Sequence, residues 1–453
     1  MTAHHHPGGR RRALATVVLA ITAALAPAVA QATPAAAAPA GHGTDAVVRA
    51  LDRAAHPLRS TEPGGGTADL RALRTTIGDA KVVGLGEATH GSHEFFAMKE
   101  RVFRDLVEHQ GFTTFALEVS WSAGLRIDDY LQTGKGGDAR TVAKAALAGS
   151  PWDREEFVSL ITWMREYNLH HRGRTVHFLG DDLGAPSLDD AFFARITDYV
   201  QGVDPQARAT LDTLYTGLRP IDDALAYLTK PLAERRSLAA RAQQALDLVT
   251  GLRATDREAA AWARQNARSV AETTSFLSLD PGDTAALPAF ERFRDEVMAR
   301  NVTWWQQHTG AKVLLSAHDD HVGRTAGDPQ LYPKTQGAFL TDTMGRDYLP
   351  IGFTFHQGSL LSKDTAIGGD WKEFTAPPPA PDTNEYTLDQ VHHRDFYLDL
   401  RTAPPLAKAW LSTPRPTRTY GTQYPYPPGH TALAESYDVL IHLHTIHAAT
   451  PTP

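Results

Sequence analysis

No cysteine occurs among the 453 residues. That absence excludes a disulfide scaffold, a thiol nucleophile and any thiolate metal site, and export from the cytoplasm would meet no thiol chemistry. Basic residues are in slight deficit, 45 Lys plus Arg against 52 Asp plus Glu. A nucleic-acid partner is therefore not expected, because phosphate neutralisation needs clustered Lys and Arg. Also missing are a Gly-x-Ser-x-Gly elbow, a Walker phosphate loop and Gly-x-Gly-x-x-Gly, which removes the serine-hydrolase nucleophile and two common nucleotide loops. Composition is otherwise ordinary for a globular chain, with 42% hydrophobic residues.

Residues 1–32 read as a secretory signal peptide. A basic patch, Arg10 to Arg12, precedes an apolar run from Ala13 to Ala26, then Pro27 and the small-residue pattern Ala28-Val29-Ala30, the usual order of such a leader. The run is shorter than the roughly 20 residues a bilayer needs and contains Thr16 and Thr22. Either the Sec or the twin-arginine route fits. Loss of these three arginines takes the formal net charge from −7 to −10. Residues 33–43 (TPAAAAPAGHG) form a small-residue linker. No later stretch is long and apolar enough for a membrane span, so none is expected in the mature form.

Beyond the linker, short runs rich in Val, Ile, Leu and Phe alternate with helical stretches, the pattern of an α/β fold with a central, mostly parallel sheet flanked by helices. Lys81 to Leu85 runs into Gly86-Glu87-Ala88-Thr89-His90, and Thr113 to Leu117 into Glu118. Thr175 to Leu179 runs into Gly180-Asp181-Asp182, Lys312 to Ala317 into His318-Asp319-Asp320-His321, and Tyr348 to Phe355 into His356. Tyr437 to Leu443 is a last strand. Open α/β sheets bind ligands outside the carboxyl ends of their strands, so the first four clusters are expected to converge.

Phe95, Met98, Val102 and Leu106 recur at helical spacing with Ser92 as N-cap. Lys99 lies near the edge of that apolar face, where it either snorkels to water or holds its charge over the strand ends. From about Leu188 to His308 the chain is helical in character, an inserted lobe between the third and fourth of these strands. Ala376 to Pro428 is rich in Pro and aromatic residues and reads as loop, with Tyr420, Tyr424 and Tyr426 as surface packing or as a wall for an apolar ligand.

Carboxylates and imidazoles suit either an activated water or a metal. Glu87 and His90, three apart on a strand-to-helix turn, offer a base with a carboxylate to fix its tautomer. His318 and His321 have the same spacing and would supply a donor for an oxyanion and an acid for the leaving alcohol. His90, His318, His321 and Asp182 would equally make an oxygen and nitrogen shell for a metal.

Gly86-Glu87-Ala88-Thr89-His90-Gly91-Ser92-His93-Glu94 followed by Lys99 resembles the signature of the erythromycin esterase family. So do Gly111-Phe112 through Leu117-Glu118, the segment Pro151-Trp152 to Trp163-Met164-Arg165-Glu166-Tyr167-Asn168, and Gly180-Asp181-Asp182. Arg294-Asp295 to Met298 and Asn301, His318-Asp319-Asp320-His321, Tyr348 to Phe353 and Tyr437-Asp438 continue the match in order, from about Thr44 to Ala449. The resemblance implies one erythromycin-esterase-like domain over 44–449 that hydrolyses a small-molecule ester or macrolactone with water, without metal or other cofactor. By position, His90 is the general base, Glu87 and Glu118 its polar support, and His318 and His321 the substrate-side imidazoles. Lys99 stands where macrolide-hydrolysing members carry Arg, keeping the charge without the fork. Asp182, Trp121 and Trp152 are expected on the substrate side. Two other readings use the same residues, a metal-dependent hydrolase or phosphatase and a non-catalytic ligand-binding relative. Oligomeric state has no signal in the sequence.

Overall fold

Strands covered on both faces bury every side chain, and the runs Val82–Leu85 (β2) and Lys312–Ser316 (β5) do so at all but Lys312. In the computed structural model the described residues are 43–183, 188–221, 223–253, 255–280, 282–364 and 369–453. The leader and all but the last residue of the linker lie outside them. The remaining strands are His56–Pro57 (β1), Phe112–Ser120 (β3), His177–Asp182 (β4), Tyr348–Ser362 (β6), Lys372–Ala376 (β7), Phe396–Asp399 (β8), Arg415–Thr417 (β9), Gly429–Thr431 (β10) and Val439–Ile446 (β11). Nine of the eleven form one sheet in the order β1-β8-β11-β6-β2-β5-β3-β4, with β7 paired to β6, while β9 and β10 pair separately. From β11 to β4 every neighbour is parallel, whereas β8 and β1 extend one edge antiparallel. The fold is thus α/β with a mostly parallel sheet flanked by helices.

Alternation along the strands divides the core. Val83, Leu85, Phe115, Leu117, Leu314, Ile351 and Phe353 face one layer, and Val82, Ala116, Val313, Leu315 and Tyr348 face the other, as the two-residue period requires. Helix His93–Gln110 covers the first layer. Ser92 caps it by accepting the Phe95 N–H, and Gly111 ends it at φ 76°, a left-handed position that suits glycine.

The second layer is covered by the helices between β4 and β5, among them Leu232–Gly251, Arg257–Leu277 and Leu287–Thr309. They are tied down by hydrogen bonds as well as by packing: Trp305 donates to Thr114 Oγ1 of β3 at 2.9 Å, and Trp121, first residue of the helix that follows β3, donates to Asn266 Oδ1 at 2.9 Å. No helix among the described residues is long and apolar enough to cross a membrane.

Several strand limits differ from the sequence expectation; β6 runs past His356 to Ser362, and β11 is shifted to Val439–Ile446. β3 continues past Leu117 to Ser120, with an irregularity in its pairing to β4 that falls at Glu118 and Val119; such irregularities re-aim side chains. β4 runs on through the acidic pair Asp181-Asp182, because these carboxyls are buried and bonded rather than solvated. The Pro-rich stretch read as loop contains β8, whose four residues Phe396-Tyr397-Leu398-Asp399 find their partner in the distant β11. A four-residue run has too little periodicity to be told from a loop.

Candidate active site

The loop after β2 sets the first pair. Its Gly86 leaves no room for a side chain: a Cβ there would stand 1.9 Å from Asp319 Oδ1. Four residues on, His90 turns Nδ1 onto Glu87 Oε1 at 2.5 Å, with both side chains buried. The other Glu87 oxygen takes the ammonium of Lys99, which reaches in from the covering helix and is 1% exposed. Lys99 therefore does not snorkel. Its ammonium pairs with one Glu87 oxygen while the other accepts Nδ1–H, which leaves the lone pair on His90 Nε2. No hydrogen-bond partner reaches that nitrogen among the described residues.

The second assembly is built around Arg294, on the buried face of helix Leu287–Thr309. Its Nε and Nη2 grip Asp182 at 2.7 to 3.1 Å, and Nη2 also reaches Glu118 Oε1 at 2.7 Å. Burial by itself would push the Glu118 carboxyl up. The charges of His321 and Arg294 and the backbone N–H of His318 outweigh it and hold Glu118 well below the usual carboxylate range. Glu118 thereby joins the two halves of the site: Oε2 accepts the His318 N–H at 3.0 Å, and Oε1 lies 3.4 Å from His321 Nε2.

The two imidazoles after β5 carry different charge. In His321, Nδ1 meets Asp295 Oδ1 at 2.5 Å; burial disfavours its charge, but the Asp295 and Glu118 carboxylates prevail and raise its pKa to about 9. Burial raises Asp295 too, against the His321 charge. The pair shares one proton, which we place on His321 because its second nitrogen also faces Glu118; Arg294 Nη1, 3.1 Å from that nitrogen, is then a neighbouring cation and not its donor. His318 is held neutral, its pKa pushed well down by burial and by the charges of His321 and Lys99 against the pull of Glu118. Backbone N–H groups of Asp320 and Gly421 each point at one of its ring nitrogens at 3.2 Å; a neutral ring accepts at one of them only. The rings of His90 and His318 stand 5.1 Å apart. Asp319 and Asp320 look in sequence like added negative charge beside these rings, but burial pushes both carboxyls up and so disfavours that charge.

Glu87, His90, Lys99, Glu118, His318 and His321 are thus brought to the carboxyl ends of β2, β3 and β5. Trp152 joins them, its ring centroid 5.4 Å from that of His90 in a T-shaped arrangement. Asp182 and Trp121, expected on the substrate side, are placed otherwise. Asp182 is 1% exposed and committed to Arg294. Trp121 is 1% exposed and packs with Trp262, Trp304 and Trp305 in the core under the inserted helices. The aromatic stretch divides similarly: Tyr420 packs on Phe355 and Tyr424, and Tyr424 on Phe374. Among the described residues no three His, Asp or Glu side chains are arranged to hold a metal ion; the four suggested as a shell are turned to Glu87, Asp295, Arg294 and backbone.

Arg294 and Asp295 had no assigned role in the sequence. The signal was there: Glu291, Arg294, Asp295 and Asn301 occupy the same helical stripe as Leu287, Phe290, Met298 and Val302, and all are buried. Charged residues on an apolar stripe mark an internal network.

The profile of the erythromycin esterase family matches residues 107–446. Erythromycin esterase type II of Escherichia coli is 26% identical over 382 residues, 77% of this chain and 87% of its own length. A crystal structure titled as a succinoglycan biosynthesis protein superposes with a TM-score of 0.80 at 29% identity, covering 91% of this chain and 100% of that one. A mutant erythromycin esterase in its open conformation shares the fold, with a TM-score of 0.67 at 18% identity over 85% of this chain and 96% of that one.

Proposed function

This chain belongs to the erythromycin esterase family, whose character is that of a hydrolase of small molecules, and on that premise we propose that it cleaves a carboxylic ester or lactone with water activated by His90. The observation that carries the reading is the Lys99–Glu87–His90 chain. A buried carboxylate, paired with a buried ammonium, holds the Nδ1 side of His90, whose unbonded Nε2 stands at a strand end.

In this mechanism water loses a proton to His90 Nε2 as its oxygen attacks the ester carbonyl. Glu87 stabilises the imidazolium so formed. Protonated His321 and the neutral His318 stabilise the oxyanion; as the intermediate collapses the acyl carbon–oxygen bond breaks and His321 protonates the leaving alkoxide, after which His90 loses its proton to solvent and His321 regains one. Arg294 and Asp182 position Glu118, and Glu118 positions both imidazoles. No metal takes part in this reading. The domain spans 44–449, with residues 188–308 as its helical insertion, and the protein is secreted after removal of residues 1–32.

The test is a panel of aryl, alkyl and acyl-sugar esters, macrolactones and phosphoesters, assayed on the chain lacking residues 1–32 before and after exhaustive chelation. Ester or lactone turnover that survives chelation is expected. Turnover confined to phosphoesters, or lost with chelation and restored by a divalent ion, overturns the reading in favour of the metal-dependent one. Tight ligand binding without turnover of any substrate favours a non-catalytic relative.

A further inference from the structure

Among the described residues, two cations beside the site have no ion-pair partner within 4.0 Å. Arg154, just before helix Glu155–His170, is 3% exposed, and Lys363, one residue past β6, is 2% exposed. Both lie on one indole: the Arg154 guanidinium carbon is 4.6 Å and Lys363 Nζ 5.0 Å from the ring centroid of Trp371. Arg154 uses Nη1 on the Asp153 carbonyl at 2.7 Å, while its Nε and Nη2 are buried without a partner. Among the described residues neither cation has an ion pair. The carboxylates nearest in sequence are engaged elsewhere, Asp153 with the Gly149 N–H and Thr452, Glu155 with Arg140, Glu156 with His93 at 2.7 Å and Asp364 with Lys372.

Burial without a counter-ion is unfavourable to both charges. Burial accordingly pushes Lys363 down to about 8 and Arg154 to about 10, against the opposing pull of Asp370 and of Asp153 and Glu156. The Nε and Nη2 edge left free on Arg154 is the edge through which a guanidinium grips an oxyanion with two parallel bonds. A like-charge pair with unused donors calls for an anion.

The place of these groups ties them to the reaction centre. Trp152, two residues before Arg154, makes a T-shaped contact with His90, and its buried indole N–H is likewise unpartnered. On the other side, the Leu361 N–H bonds the Gly91 carbonyl at 3.0 Å and the Lys363 N–H the Thr422 carbonyl at 3.0 Å, while His90 N–H bonds Gly421 at 3.1 Å. The segment bearing Lys363 is therefore laced to the loop bearing His90.

We propose that Arg154, Lys363 and the Trp371 ring form an oxyanion subsite of the substrate cleft, so that the preferred ester carries a carboxylate or phosphate group remote from the bond that is cleaved. Its placement as a substrate subsite rests on the hydrolase reading above; the binding of an anion does not.

Thermal-shift titrations of the mature-length chain with succinate and with inorganic phosphate, each against chloride at matched ionic strength, test the binding. A saturable rise in Tm is expected with at least one of them, lost in Lys363→Gln and retained in Lys363→Arg, which keeps the charge if the shorter truncation unsettles the fold. Response to succinate alone or to phosphate alone supports the subsite and names its group. Kinetics then use 4-nitrophenyl hydrogen succinate beside its neutral methyl-capped and its amine-bearing counterparts. The anionic ester is expected to exceed the neutral one by about tenfold or more in kcat/KM, as charge-assisted bonds would give, and the ratio is expected to collapse toward one in Lys363→Gln. Saturable anion binding without hydrolysis of any ester would remove the hydrolase reading and leave the subsite standing. Hydrolysis with no anionic preference, together with no saturable shift, would overturn the subsite and leave the hydrolase.

Discussion

Replacing His90 by Asn isolates the proposed base. The imidazole is 4% exposed and its Nδ1 contact with Glu87 is 2.5 Å, so the substitution removes a proton acceptor that is already oriented. A positioned general base contributes about 10²- to 10⁴-fold, or roughly 3–5 kcal/mol of transition-state stabilisation. The structure also says what should survive. Glu87 keeps Lys99 as its counter-charge, so the carboxylate is not stranded and the loss of stability should stay near about 1–3 kcal/mol, that of a buried hydrogen bond. Glu87→Gln differs in both respects. It strands a buried ammonium, for which about 3–5 kcal/mol is typical, while a neutral amide still orients the ring, so its rate loss should be smaller than that of His90→Asn. Steady-state kinetics on the ester found by the panel, with thermal melting of each variant, give the two orderings. KM should change little in His90→Asn. A folded His90→Asn enzyme with near-native kcat would refute the mechanism and shift the base to the His318 and His321 pair.

Three further outcomes follow from the same geometry. Arg294→Lys keeps a charge but not the fork that holds Asp182 and Glu118 together, and about 3 kcal/mol of stability should go with it; denaturant midpoints would show it, and an unchanged midpoint would mean the network is slack. His321 has its pKa raised from 6.5 to about 9, so its pairing stabilises the fold fully below about pH 6.5 and is lost as the pH rises through 9, on the order of 3 kcal/mol. Melting curves should fall across that window and fall less in His321→Asn; equal slopes would contradict the protonated assignment. Gly86→Ala puts a methyl group 1.9 Å from Asp319 Oδ1, and the resulting overpacking should remove about 1–3 kcal/mol and displace the loop that carries Glu87 and His90. Wild-type melting and kcat in that variant would be incompatible with the packing.

What the linear sequence determines here is what depends on neighbours in the chain. Each of the apolar runs ending at Gly86, Glu118, Gly180, His318 and His356 becomes a parallel strand of the sheet, because a strand buried on both faces has to be continuously apolar. The helix from His93 follows from its period and its Ser92 cap, and the pairing of Glu87 with His90 from their spacing on one turn. The direction of Lys99 was ambiguous in the sequence, since the edge of an apolar face allows both water and core, and only the fold supplied a carboxylate for it. Asp182 shows the limit from the other side: a strand-end acid looks available to a substrate until the helix 112 residues further on delivers Arg294 to it. The strand Phe396–Asp399 exists because β11 offers it an edge, and Arg154 and Lys363 meet across one indole although 209 positions separate them. Charges and short strands take their meaning from long-range partners, and partners at that separation leave no periodicity in the sequence to read.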